Sequence, residues 1–186
     1  MKKTFFLTTL TLLLLVLNIG LEGDCPKDNK ITKMTSSMDS FKAVQPLDFS
    51  KIVSTGALSN KAGTKVQVCL SNSNFTIPQM ASDFVVPIKE KKQFIAVINF
   101  SNGSKPVSAG KYSPAAGYRK PFWVTAEVKV HKGEKNTIVS LGVVEGTAQI
   151  DEITADRICG SFDLKNKKGD SGISGQFNVK LEKSRW

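Results

Sequence analysis

Histidine is almost absent from this chain, in which His131 is the only one. A single imidazole cannot build a multi-histidine metal site, and it supplies only one part of a catalytic triad. The three cysteines, Cys25, Cys69 and Cys159, are too far apart in sequence to match the spacing of zinc ligands. We therefore expect no metal ion and no catalytic site built on these residue types.

Acidic residues and glycines also lack a catalytic arrangement. Asp151 and Glu152 are adjacent at the end of a predicted strand, so they would point to opposite faces and could not share one substrate. The glycines between residues 103 and 117 are spaced like turns, and no helical pattern follows them to form a phosphate loop. We expect a non-enzymatic protein without a cofactor, and a hydrolase that uses His131 or a carboxylate is the least favoured alternative.

Long apolar runs are missing except at the very start of the chain. Residues 1–23 begin with two lysines and continue in an apolar run at 4–21, which is the layout of a signal peptide. We therefore predict export, with a secreted or periplasmic protein as the product. In a cell that glycosylates exported proteins, the Asn-x-Ser/Thr sequences at Asn74, Asn99 and Asn102 would be acceptors.

The cysteine count suggests one disulfide and one cysteine left over. An oxidising compartment favours a Cys69–Cys159 bridge, and both residues fall on the polar phase of their predicted strands, which would place the bridge on an outer face. Cys25 stands at the start of segment 24–46, which is polar and rich in turn-forming residues. We expect this segment to be a largely unstructured tether, and the alternative to free secretion is a lipid anchor on Cys25 at the cell envelope.

Apolar and polar residues alternate through most of the remaining chain, at residues 66–70, 94–100 and 122–130 above all. This period of two is typical of half-buried strands, and no segment has a helical period. A repeated pattern at 158–164 and 173–179, with a polar loop between, predicts a hairpin whose strands bend at glycines. We predict a single all-β domain at 47–186, an antiparallel β-sandwich of about 8–10 strands, with a closed or partly open calycin-like β-barrel as the alternative.

Basic side chains outnumber acidic ones by 26 to 16, so the formal net charge is +10. A field of this sign favours an anionic partner, such as an envelope polymer, a glycan or a lipid surface. Nucleic acid is not expected as a partner, because an exported chain seldom meets it.

The segment 101–123 is the strongest candidate for a binding site. It is long for a connection in a compact β domain, and long ordered loops are often functional. Its proposed ligand-binding residues combine aromatic rings with positive charge: Tyr112, Tyr118, Arg119, Lys120 and Trp123. We predict a binding or interaction module of the cell envelope or extracellular space. The alternative is a lipocalin-like barrel that carries a small apolar ligand, which would require a deep apolar cavity in place of a filled core.

Overall fold

A computed structural model describes residues 24–58, 62–75, 90–118, 120–131 and 136–182. The predicted signal peptide at 1–23 and Arg119 lie outside the described residues. No helix in these ranges is long and apolar enough to cross a membrane.

Ten strands make up most of the described chain, so the predicted all-β fold is confirmed. One short helix, α1 (Asp39–Lys42), and one 3₁₀ turn (Pro114–Ala116) accompany them. The strands are β1 (Lys30–Thr35), β2 (Val53–Leu58), β3 (Lys65–Ser71), β4 (Phe94–Ser101), β5 (Gly110–Tyr112), β6 (Trp123–His131), β7 (Asn136–Ser140), β8 (Glu145–Ile153), β9 (Arg157–Lys165) and β10 (Gly172–Glu182).

Nine strands follow one hydrogen-bonded path in the order β5-β8-β9-β10-β2-β3-β4-β6-β7, and β1 pairs with β10 beside this path. All the strand pairs are antiparallel except β10 with β2, which is parallel. The sheet curls strongly into a half-barrel, and it therefore has features of both the predicted sandwich and the barrel alternative. The β5 and β6 regions meet where the Ser113 N–H donates to the Phe122 carbonyl at 2.9 Å.

The predicted hairpin is formed by β9 and β10, and its repeated glycines lie opposite phenylalanines. In the register of the pair, Gly175 faces Phe162 and Gly160 faces Phe177. A Cβ on Gly175 would lie only 3.0 Å from the Phe162 ring and would overlap the Lys30 carbonyl oxygen of β1. The missing side chain therefore lets β1 and the Phe162 ring approach β10 closely.

The inner face of the curled sheet holds one continuous hydrophobic core. Phe177 contacts both Phe100 and Phe162 there, with ring centroids 5.7 and 6.3 Å away. Val128 and Ile158 are among the many aliphatic side chains that fill the spaces around these rings. The alternation read from the sequence is thus the alternation between this core and the outer face.

The expectation of an unstructured tether at 24–46 is wrong. β1 pairs with β10 along residues 172–176, and Phe41 of α1 and Val44 are buried in the core. Widely spaced apolar residues, Ile31 and Met34 among them, anchor this segment although its mean composition is polar. Burial of a few large side chains is enough to order a short segment that also gains strand hydrogen bonds.

The predicted Cys69–Cys159 bridge is also wrong. Cys159 is bonded to Cys25, with Cα atoms 5.6 Å apart, while Cys69 is free and buried. Strands β10 and β2 lie between β9 and β3, which keeps Cys69 away from Cys159. The lipid-anchor alternative fails as well, because the Cys25 sulfur that would carry a thioether is in the disulfide. A disulfide is typical of exported proteins and is consistent with the predicted export.

Candidate ligand-binding surface

A capped 3₁₀ turn fixes the conformation of the segment that joins β5 to β6. The Ser113 hydroxyl accepts the Ala115 N–H at 3.2 Å and caps the 3₁₀ turn. Gly117 ends the turn with a positive φ of 89°, which favours glycine because it has no Cβ. Tyr118 follows at once, so the turn brings its ring to the molecular surface.

Tyr112 was predicted to bind ligand, but the structure places it in the core. Its ring is buried on the inner face, 5.3 Å from the Phe100 ring, and its hydroxyl donates to the Ser108 carbonyl at 2.9 Å. Burial raises the pKa of this hydroxyl. Because both the ring and the hydroxyl have partners within the protein, Tyr112 is a core residue that positions the segment.

Tyr118 and Trp123, in contrast, lie together on the outer face. Their rings pack edge to face with centroids 5.2 Å apart, and the Lys65 ammonium lies 5.7 Å from the Tyr118 ring centroid. The side chain of Tyr118 is 60% exposed despite these contacts. We call Lys65, Tyr118 and Trp123 the aromatic–lysine corner.

Lys65 was missed by the sequence reasoning, because it is far from the segment 101–123. The strand register explains its place: Lys65 of β3 is paired with Ser101 of β4, which is paired with Trp123 of β6. These three residues form one row across the outer face. Only the pairing of three strands, which no single segment reveals, brings the lysine to the aromatic rings.

Of the two basic residues that were predicted to bind ligand, Lys120 and Arg119, the structure describes only Lys120. Lys120 is exposed next to the corner, whereas Arg119 lies outside the described residues. Phe122 is 41% exposed and packs its ring against Tyr112 at 5.3 Å, which ties the surface segment to the core. The candidate site therefore contains Tyr118, Trp123 and Lys120 from the prediction, and Lys65 in addition.

The next row of the outer face is polar and half-buried. It consists of Gln67, Asn99 and Thr125, which are paired across β3, β4 and β6. The Gln67 side-chain amide donates to the Asn99 carbonyl oxygen at 2.7 Å. Amide and hydroxyl groups therefore lie directly beside the aromatic–lysine corner.

Farther along the same strands the outer face becomes apolar. Cys69, Ile95 and Val97 form a second buried cluster, and Ala57 and Phe75 pack against it. Burial raises the pKa of the Cys69 thiol well above its ordinary value. The phase predicted for Cys69 is thus confirmed, but its surroundings are apolar and its thiol is protonated at neutral pH.

The residues considered for catalysis are not brought together. His131 is buried at the opposite end of β6 from Trp123, and Glu152 accepts a hydrogen bond from Arg157 at 2.7 Å. Burial raises the pKa of the Asp151 carboxyl. Within the described ranges, no three His, Cys, Asp or Glu side chains form a group that could hold a metal ion.

Comparison of the chain with protein-family models, curated proteins and solved structures finds no match. A function is therefore inferred from the side chains of this chain.

Proposed function

We propose that this chain is an exported, non-enzymatic module that binds an extended anionic polymer at the aromatic–lysine corner and Lys120. The observation that carries the proposal is the exposure of Tyr118, which is 60% exposed while its ring contacts both Trp123 and Lys65. A large exposed ring held in place by its neighbours is a common feature of binding surfaces.

The charge of the chain supports an anionic ligand. The net charge of +10 creates a positive field that attracts anions from a distance, Lys65 places its ammonium group at the Tyr118 ring, and Lys120 is exposed two residues after Tyr118 in the sequence. Aromatic rings alone would favour any flat or apolar partner. The combination of rings and lysines selects for a ligand that has both a face to stack and a negative charge.

The inner face supports a binding module over a carrier of apolar ligands. The side chains of Phe41, Val44 and Leu47 enter the concave side of the sheet and join the core cluster around Phe100. A carrier needs this volume for its ligand, whereas a module with a surface site needs it filled.

The proposal is tested with a Tyr118→Ala/Trp123→Ala double variant of the mature protein. Polygalacturonate and polyacrylate serve as anionic polymers, neutral dextran serves as the uncharged control, and affinity is measured by calorimetric titration. We expect the wild-type protein to prefer at least one anionic polymer over dextran, and the double variant to lose tenfold or more of that affinity, as is usual for buried aromatic anchors. The far-UV circular dichroism spectrum should not change.

A matched control removes exposed apolar surface elsewhere. Met38→Ala/Val144→Ala truncates side chains that are 39% and 51% exposed and lie outside the corner, and it should bind like the wild type. The proposal is wrong if the wild-type protein prefers neither anionic polymer to dextran, or if the Tyr118→Ala/Trp123→Ala variant retains full affinity.

A further inference from the structure

Ser101 occupies the centre of the row that carries the aromatic–lysine corner. It is paired with Lys65 on one side and with Trp123 on the other. Alternation along β4 points Phe100 inward to the core and Ser101 outward. The Tyr118 ring contacts the side chains on both sides of Ser101, and Ser101 is only 2% exposed. Ser101 is therefore a buried residue at the centre of the row that carries the corner.

The Ser101 hydroxyl has no hydrogen-bond partner among the described residues. An unpaired buried hydroxyl is unfavourable in the free protein, because water was removed from it and no protein group replaced that water. The Ser101 hydroxyl lies near an exposed aromatic ring and two lysines. A ligand bound at this surface could supply its missing hydrogen-bond partner. The half-buried amides of Gln67 and Asn99 in the next row extend the same kind of surface.

We propose that the ligand is an acidic polysaccharide, and that Ser101, Gln67, Asn99 and Thr125 form a polar floor that hydrogen-bonds its hydroxyl groups when the Tyr118 ring turns aside. This inference rests on the proposed function and specifies the chemistry of its ligand. A uronic acid unit has a carboxylate for the lysines, a face of C–H groups for Trp123, and hydroxyl groups for the floor. A lipid headgroup offers the lysines a phosphate but has fewer hydroxyl groups than a polysaccharide for the floor, and its apolar tails cannot hydrogen-bond.

The decisive variant is Ser101→Ala, because binding should weaken without a loss of stability. Removing an unpaired buried hydroxyl should leave the thermal midpoint unchanged or raise it. If the hydroxyl bonds the ligand, the same variant should bind polygalacturonate about two- to tenfold more weakly, the range expected for one hydrogen bond.

The chain offers a matched control in Ser40 of α1, whose hydroxyl is also buried without a partner among the described residues. Ser40→Ala should have the same small effect on the thermal midpoint and no effect on binding. Polyacrylate is the matched probe, because it carries carboxylates without hydroxyl groups. Wild-type protein should bind it more weakly than polygalacturonate, although its charges are denser, and Ser101→Ala should not change that weaker binding.

Two results would overturn the inference and leave the proposed function intact: equal affinity of wild type and Ser101→Ala for polygalacturonate, or binding of polyacrylate as tight as that of polygalacturonate. Preference for phosphatidylglycerol vesicles over both polymers would overturn the proposed function as well, because the preferred ligand would then be a lipid surface. In each of the first two cases, the affinity of the Tyr118→Ala/Trp123→Ala variant still tests whether the aromatic–lysine corner binds the ligand. If that double variant keeps full affinity for the preferred polymer, the proposed function itself fails.

Discussion

Strands β3, β4 and β6 present two adjacent rows of side chains with opposite environments. The inward row is apolar and fully buried, and the outward row is built from a lysine, a serine and a tryptophan. In strand order the two rows are Val66, Phe100 and Val124, and Lys65, Ser101 and Trp123. One step along the backbone thus separates a packed core from a candidate binding surface. The same pairing that builds the core sets the positions of the candidate binding groups.

The largest effect should come from the inner face. Phe177 is buried between Phe100 and Phe162, and Phe177→Ala should lower the free energy of unfolding by about 3–5 kcal/mol, because it removes a large buried ring and leaves a cavity. Urea denaturation monitored by fluorescence measures this loss. A loss below about 1 kcal/mol would mean that the inner face has room for a ligand, which would favour the carrier.

On the outer face, the strongest stabilising element should be the Cys25–Cys159 disulfide. Cys159 follows the inward-facing Ile158 on β9, and the bridge spans 134 residues of sequence. Replacing both cysteines by alanine should cost about 2–4 kcal/mol of unfolding free energy, and dithiothreitol should lower the urea midpoint of the wild type but not of this variant. Peptide mapping that finds Cys69 bonded to either partner would contradict the assignment.

The smallest effect on stability should come from Cys69, which is buried among apolar side chains on the outer face. Burial raises the pKa of this thiol in the folded state, so stability from the protonated form is complete below the unfolded pKa of about 8.5 and is lost as pH rises above it. Between pH 9 and 10, wild-type protein should lose up to about 1.4 kcal/mol per pH unit more than Cys69→Ala. Parallel stability curves for the two proteins would show that solvent reaches the thiol.

The strands were predictable because their signals are local. The alternation in β6 and the repeated hairpin pattern of β9 and β10 depend on neighbouring residues alone, and each is confirmed. The order of strands depends on the whole chain, so the choice between sandwich and barrel did not follow from the pattern. The prediction of an unstructured tether was wrong for the same reason, because β1 is ordered by residues 172–176, which are far away in sequence.

The candidate site was only partly predictable. Tyr112 and Tyr118 are six residues apart in the same segment, yet one is in the core and the other is exposed, because β5 turns Tyr112 inward and the turn at Gly117 brings Tyr118 out. Composition treats the two tyrosines alike. Lys65 was missed, and the cysteine pair was wrong, because both depend on which strands are neighbours.

The position of β10 has a consequence for how the protein is made. This strand is the last of the ten along the chain, yet it pairs with β9, with β1 and, through Leu181 and Glu182, with β2. Without β10, β1 loses the one strand with which it pairs among the described residues, and the two parts of the sheet are joined only where Ser113 meets Phe122 and Trp123. β1 can therefore pair only after residues 172–176 have been synthesised, and a product that stops before residue 172 would be left with exposed strand edges, a form that quality-control proteases and chaperones recognise.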